Sequence, residues 1–323
     1  MLYWPEFKFE FRLDMQQLLP YLAAIEMYRE SALNRIPPPV WREKPETEAL
    51  RLSPHDFREG HRARTEPLEL HKMNLLVRNA NPAQAWVKRR FVSSSAPPSL
   101  EDLLAMHRLV GEEGIYYDHP GVMRSSPVWV GRREAGGRHV GAPVDKLPLL
   151  MDLYIRFINS KRLHSLPPMI HALLAHFFLT TIHPFDDGNG RMCRLVSAAI
   201  LFQRGYNGHG LYALGWHFYQ NDTKYHTLLQ RCWKDPLPFD LTEFVAFGLE
   251  GLVLELQEIR AFVKVKLNRN LERQWLTPAL KKQVEAREKA LCPRLLAREA
   301  GVITLPTAQA VVERDNTDEM RRC

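Results

Sequence analysis

Between His183 and Arg194 the chain reads HPFDDGNGRMCR. One histidine, two acids, a Gly-Asn-Gly turn and two arginines stand within twelve positions. The segments on either side, PPMIHALLAHFFLTTI and RMCRLVSAAILFQRG, are strongly apolar and read as helices. PFDDGNG is therefore a loop between two buried helices, ending at a helix N-terminus. Unpaired N–H groups and the positive end of the helix dipole make such a terminus an anion site. Gly188 and Gly190 let the backbone approach a ligand closely, and Asn189 tolerates unusual backbone angles. Arg191 and Arg194 are three apart and share a helix face, so both guanidinium groups can reach one ligand. Two cations at an anion site suggest more than one phosphate. Asp187 beside a polyphosphate is a natural magnesium ligand. His183 can accept a proton near neutral pH. The implied chemistry is attack on a nucleotide phosphorus by a hydroxyl that His183 deprotonates. Taken singly, a histidine before proline is a loop residue, GNG is a common turn, and two helical arginines are solvated. Their joint occurrence is much harder to explain by folding alone.

These residues need elements to position them, and the rest of the chain supplies helices. FKFEFRL alternates apolar and polar residues, as a short half-buried strand or an extended arm does. A helix follows over MQQLLPYLAAIEMYRESALNRI despite Pro20, stopped by PPPV from Pro37. LELHKMNLLVRNA reads as helical, and SSSAPPS as a loop whose Ser99 caps the helix SLEDLLAMHRLV. SSPVWVGRREAGGRHV, with β-branched and aromatic residues around a Gly-Gly turn, predicts a hairpin. KLPLLMDLYIRFIN, TKYHTLLQRCW and DLTEFVAFGLEGLVLELQEIRAFV are further helices. The expected fold class is all-α with one small hairpin.

HPFDDGNGRMCR matches the signature HPFx[D/E]GNGRxxR of the Fic-domain family at every specified position. HALLAHFFLTTIHPF resembles that family's helix leading into the loop, VMRSSPVWVG its flap hairpin, and DLTEFVAFGLEG its later helix. The resemblance covers roughly residues 1 to 255 and is strongest from Ser99. It implies a Fic-type helical core over 99–255, a mainly helical N-terminal extension over 1–98 and a C-terminal helical tail over 256–323, part of it expected to be mobile. It also implies transfer of AMP from ATP, with Mg²⁺, to a Ser, Thr or Tyr hydroxyl of a protein, self-modification included. On that reading His183 is the general base and Asp187 holds the magnesium ion. Gly188, Asn189 and Gly190 form the anion loop, Arg191 contacts the phosphates, and Arg194 positions the terminal one. Phe185 anchors the loop in the core. Val128, Trp129, Val130 and Gly131 form the flap that holds the target segment as an added strand. Members that transfer phosphate instead replace GNG, so the intact GNGR favours AMP transfer.

The match has two departures. Many members restrain themselves with a glutamate in an [S/T]xxxE[G/N] helix. Glu48 is the candidate here, although Lys44 stands where Ser or Thr is expected and Ala49 where Gly or Asn is expected. In QNDTKYHTLL, Asn221 and Tyr225 keep two positions of a segment that flanks the nucleotide base, while Asp222 and His226 do not match. Tyr225 has an equally good reading as a core residue. His107, His171 and His176 read as hydrogen-bonded structural residues and Cys193 as an inert packing residue.

Composition bounds the alternatives. The net charge is +7 and the pI about 9.2, compatible with nucleic acid, acidic partners or phosphates. A nucleic-acid-binding regulator using the basic runs KVKLNRNLERQW and ALKKQVEAREK is one rival, although their interleaved Glu is typical of a solvated helix face. A catalytically quiet nucleotide-binding regulator is another, and the intact His183 argues against it. The four cysteines are scattered, which fits neither a zinc site nor a disulfide framework and predicts a reducing, cytoplasmic setting. MLYWPEFKFEFRLD lacks the apolar core of a signal peptide, and no apolar run is long enough for a bilayer. A homo-oligomer is compatible with all of this.

Overall fold

The computed structural model describes residues 4–33, 82–92, 96–111, 119–130, 139–207, 215–234 and 237–257. The chain divides into two compact units, Met1–Val263 and Lys264–Cys323, and the described elements all belong to the first. Their helices are α1 (Met15–Leu33), α2 (82–92), α3 (Leu100–Gly111), α4 (Leu147–Ile158), the short α5 (Lys161–His164), α6 (Pro168–Ile182), α7 (Asn189–Gln203), α8 (Gly215–Gln220), α9 (Asp222–Lys234) and α10 (242–257). The strands are β1 (Phe11–Arg12), β2 (Trp129–Val130), β3 (His139–Val140) and β4 (Phe239–Asp240). Among the described residues no helix is long and apolar enough to cross a membrane.

The centre is the pair α6 and α7, packed against each other, with α4 and α5 against α6 and α3 against α7. Every residue of α6 is buried, as its sequence, apolar on all sides, requires. α4 instead buries one stripe, Leu147, Leu150, Met151, Tyr154 and Ile158, the i, i+3, i+4, i+7 pattern of an amphipathic helix. α7 ends in a Schellman motif, where Gly205 takes φ 70°, its N–H bonds Phe202 O at 3.0 Å, and Tyr206 N–H bonds Leu201 O at 2.8 Å. Ser99 caps α3 as expected, its Oγ accepting from Asp102 N at 3.1 Å while Asp102 Oδ2 accepts from Ser99 N at 3.0 Å. Arg90 on α2 then grips Asp102 at 3.0 and 3.1 Å, tying the two helices.

The expected hairpin is β2–β3, antiparallel with Trp129 opposite Val140 and Val130 opposite His139. A second two-stranded sheet, which no sequence pattern predicts, joins the two ends of the described fold. β1 lies parallel to β4, Phe11 beside Phe239 and Arg12 beside Asp240, with an Arg12–Asp240 ion pair at 3.1 Å. The alternation in FKFEFRL turns Phe7, Phe9 and Phe11 inward. Phe9 packs on Phe157 and Phe178 with ring centroids 5.0 and 5.2 Å apart. The helix expected over 68–80, the region of Glu48 and the C-terminal runs lie outside the described residues.

Candidate active site

His183 closes α6 in the left-handed conformation, φ 54° and ψ 64°, so the chain turns sharply out of a buried helix. Its carbonyl accepts from Arg124 Nε at 2.7 Å. Its Nδ1 lies 3.3 Å from Thr180 O, and a carbonyl only accepts, so the proton is on Nδ1 and Nε2 carries the lone pair. Burial, helped by the charges of Arg124 and His139, pushes the imidazole pKa down to about 3. The ring is neutral at neutral pH, the state a general base needs.

The loop beyond is held from two sides. Phe185 is fully buried, and its backbone is clasped by the side chain of Asn189. Oδ1 accepts from Phe185 N at 3.0 Å and Nδ2 donates to Phe185 O at 2.8 Å. Asn189 thus shapes the loop with its side chain. Gly188 caps α7 in the left-handed region at φ 76°, which starts the helix at Asn189, two residues before RMCR. His107 on α3 receives Gly121 N–H on Nδ1 at 2.8 Å, so its Nε2 carries the proton and donates to Asp187 O at 3.1 Å. The Asp187 carboxylate is about half exposed, 3.9 Å from Arg191 Nη2.

Arg191 and Arg194 are buried at 7% and 8% exposure, so the solvated reading of this pair does not hold. Arg194 packs beneath Gly215, where an added Cβ would stand 2.7 Å from its Cδ. Burial lowers the basicity of His176, and the charge of Arg194 adds to the effect. The half-buried Tyr225 bonds His176 Nε2 through its Oη at 2.9 Å, and its ring stacks on Phe218 at 4.9 Å. Asn221 Nδ2 donates to His217 O at 3.0 Å, and Asn221 lines a cleft of about 640 Å³ with Asp222, Lys224 and Arg231. Cys193 is buried, its Sγ 3.1 Å from Thr180 Oγ1, and burial pushes its thiol up to about 12, which makes it inert.

Every main-chain carbonyl from Leu179 to Phe185 has a donor. Those of Leu179 and Thr180 take His183 N and Nδ1. Thr181 O takes His139 Nε2 at 3.0 Å, and Ile182 O takes Ala142 N at 3.0 Å. His183 O and Pro184 O take Nε and N of Arg124, the latter at 2.9 Å, and Phe185 O takes Asn189. The hairpin base therefore supplies donors to the end of α6. In the hairpin itself, Gly141 N–H bonds Val128 O at 3.0 Å, so the neighbouring pair Trp129–Val140 turns its main-chain groups outward. Val140 O is taken by Trp4 Nε1 at 3.1 Å, whereas Trp129 is 60% exposed. Gly131 lies outside the described residues. The sequence reading missed Arg124, Trp4, and the roles of His107 and Gly215 in placing the motif.

Residues 97–201 match the model of the Fic/DOC family. The chain carries a Fic/DOC family domain. This Fic domain is distantly homologous to the protein adenylyltransferases Fic of Drosophila grimshawi, 38% identical over 111 residues, and of Aedes aegypti, 33% identical over 127 residues. Those matches take in 33% and 38% of this chain but only 21% and 23% of the relatives, about a fifth of their length. The fold is that of a Fic family protein from Desulfovibrio desulfuricans G20, with TM-score 0.59, 23% identity, and coverage of 76% of this chain and 75% of that one. It is also that of a Fic domain containing signaling protein from Bacteroides thetaiotaomicron, with TM-score 0.58, 19% identity, and coverage of 77% and 97%. Proteins with a Fic domain are typically adenylyltransferases.

Proposed function

We propose that this protein transfers AMP from Mg-ATP to a Ser, Thr or Tyr hydroxyl of a protein, with residues 99–255 as the catalytic core, 1–98 as an extension and 256–323 as a tail. The observation that carries the reading is the state of His183: neutral, protonated on Nδ1 towards Thr180 O, with a lone pair on Nε2 beside a loop that opens onto a helix N-terminus. The target hydroxyl oxygen attacks the α-phosphorus, its proton passes to His183 Nε2, and the bond to the bridging oxygen breaks to release pyrophosphate. Arg191 and Arg194 hold the phosphate oxygens, with the N–H groups at the start of α7 adding to them. Among the described residues no three His, Cys, Asp or Glu side chains group together as a metal cage. The half-exposed Asp187 carboxylate would hold a Mg²⁺ shared with the nucleotide phosphates, which would supply positive charge against the leaving pyrophosphate. The target segment docks along β2, because Trp4 occupies the outward carbonyl of β3. Two free, buried cysteines, Cys193 and Cys232, support a cytoplasmic setting.

The test is transfer from ATP labelled on the α- or the γ-phosphate, with Mg²⁺, onto the protein itself and onto lysate proteins. Transfer of α-label alone, abolished by His183→Ala, is the expected result. Retained ATP binding with no transfer of either label would leave a quiet nucleotide-binding module.

A further inference from the structure

We infer that Arg124 is a positioning residue that locks the target-docking hairpin to the catalytic histidine, an inference that rests on the adenylyltransferase reading for its kinetic consequence. Arg124 is 3% exposed. Its guanidinium makes hydrogen bonds to three main-chain carbonyls: Nε to His183 O at 2.7 Å, Nη1 to Ser126 O at 2.8 Å, and Nη2 to Ala142 O. Ser126 leads into β2 and Ala142 follows β3, so the fork joins both limbs of the hairpin to the residue that carries the base. Its own N–H adds the bond to Pro184 O.

A buried cation is an expensive way to fill space, and burial lowers the Arg124 pKa from its ordinary value. An apolar side chain could pack there, but it could not satisfy three carbonyls from three separate segments. Lysine could not do so either, because it lacks the rigid planar fork. Gly141 fits the same arrangement. A Cβ at that position would stand 3.0 Å from Arg124 Nη2 and from Val128 Cγ2, and 3.4 Å from His183 Cβ. The hairpin, the guanidinium and the histidine are thus packed without slack. In-line transfer needs the hydroxyl on the hairpin and Nε2 of His183 in fixed relation, and the fork fixes both.

The experiment compares wild type, Arg124→Lys and Gly141→Ala by hydrogen exchange, ATP binding and transfer kinetics. Arg124→Lys is expected to lower kcat by about 10- to 100-fold, since misplacement by about 1 Å costs that much, with the Kd for ATP unchanged. Exchange should speed up at the amides of Gly141, Ala142 and His183 and stay unchanged in the interior of α4. Gly141→Ala, which keeps the charge but displaces the fork, should show the same pattern more weakly, and it stands in if Arg124→Lys does not fold. Unchanged exchange at those amides would overturn the inference. So would a fall in kcat fully accounted for by the fraction of protein still able to bind ATP. If wild type transfers no α-label, the adenylyltransferase reading fails, and the exchange pattern alone decides whether Arg124 locks the hairpin.

Discussion

The imidazole of His107 lies flat on the ring of Phe185, with centroids 3.8 Å apart and planes 7° from parallel. One side chain thus covers the loop's buried anchor and bonds the carbonyl of Asp187 two residues on. His107→Phe keeps the stacking surface and removes both polar contacts. It is expected to cost about 1–3 kcal/mol, the range for leaving buried backbone groups unpaired, and to raise the Mg²⁺ concentration for half-maximal transfer. Thermal unfolding and a Mg²⁺ titration of the rate check this. An unaltered Mg²⁺ requirement would reduce His107 to a packing residue.

Burial holds His139 and His171 at pKa about 4 and His176 at about 3. In the unfolded chain they titrate near the ordinary value of about 6.5. Between those values the unfolded state binds more protons, so stability is lost as pH falls, by up to about 1.4 kcal/mol per pH unit for each histidine. The expected outcome is a melting temperature that drops by about 10 °C or more between pH 7 and pH 5. A flat profile would contradict the buried neutral state of these rings.

Burial governs the pH dependence of the rate as well. With its pKa near 3, His183 is already deprotonated across the pH range in which the fold survives. The transfer rate for pre-bound substrate should therefore show no acid limb at pH 6–7. A limb with a midpoint there would mean that His183 titrates as an ordinary exposed histidine.

Gly215 leaves room for the Arg194 side chain, and an alanine Cβ would stand 2.7 Å from Arg194 Cδ and 3.4 Å from its Nε. Gly215→Ala is expected to displace the guanidinium and raise KM for ATP by about tenfold, equivalent to about 1.4 kcal/mol. Binding of ADP, which lacks only the terminal phosphate, should change little. Equal losses for both nucleotides would point to a general distortion of α8 and α9.

Trp4→Phe removes the bond to Val140 O but keeps an aromatic ring near His139, 5.6 Å away in the wild type. The outer edge of β3 then opens. Faster amide exchange at 139–141 and a higher KM for the protein target are expected, with the Kd for ATP unchanged.

Much of this architecture is legible locally. α4, α6 and α7 follow from periodicity, all-round apolarity and their Pro and Gly boundaries, and the motif itself is contiguous. What joins the motif to its surroundings is not. β1 pairs with β4 across 228 residues, measured at Arg12–Asp240, and no short window carries that partnership. Arg124 is one of 44 basic residues, and nothing in MRSSP marks it as buried. The six residues of α8 are too few for a periodic signal. Leu228, Leu229 and Cys232 lie at i+3, i+4 and i+7 from Tyr225, so the spacing puts the half-buried tyrosine along the inward stripe of α9 without deciding between a packing and a binding role.

His183 is the non-glycine residue with positive φ among those described. Backbone sterics favour glycine there, and a histidine gives up about 1 kcal/mol to hold the position. His183→Gly would thus relieve the turn even as it removed the imidazole. A higher melting temperature for His183→Gly together with loss of transfer would separate what the backbone prefers at this turn from what the imidazole does in the proposed reaction.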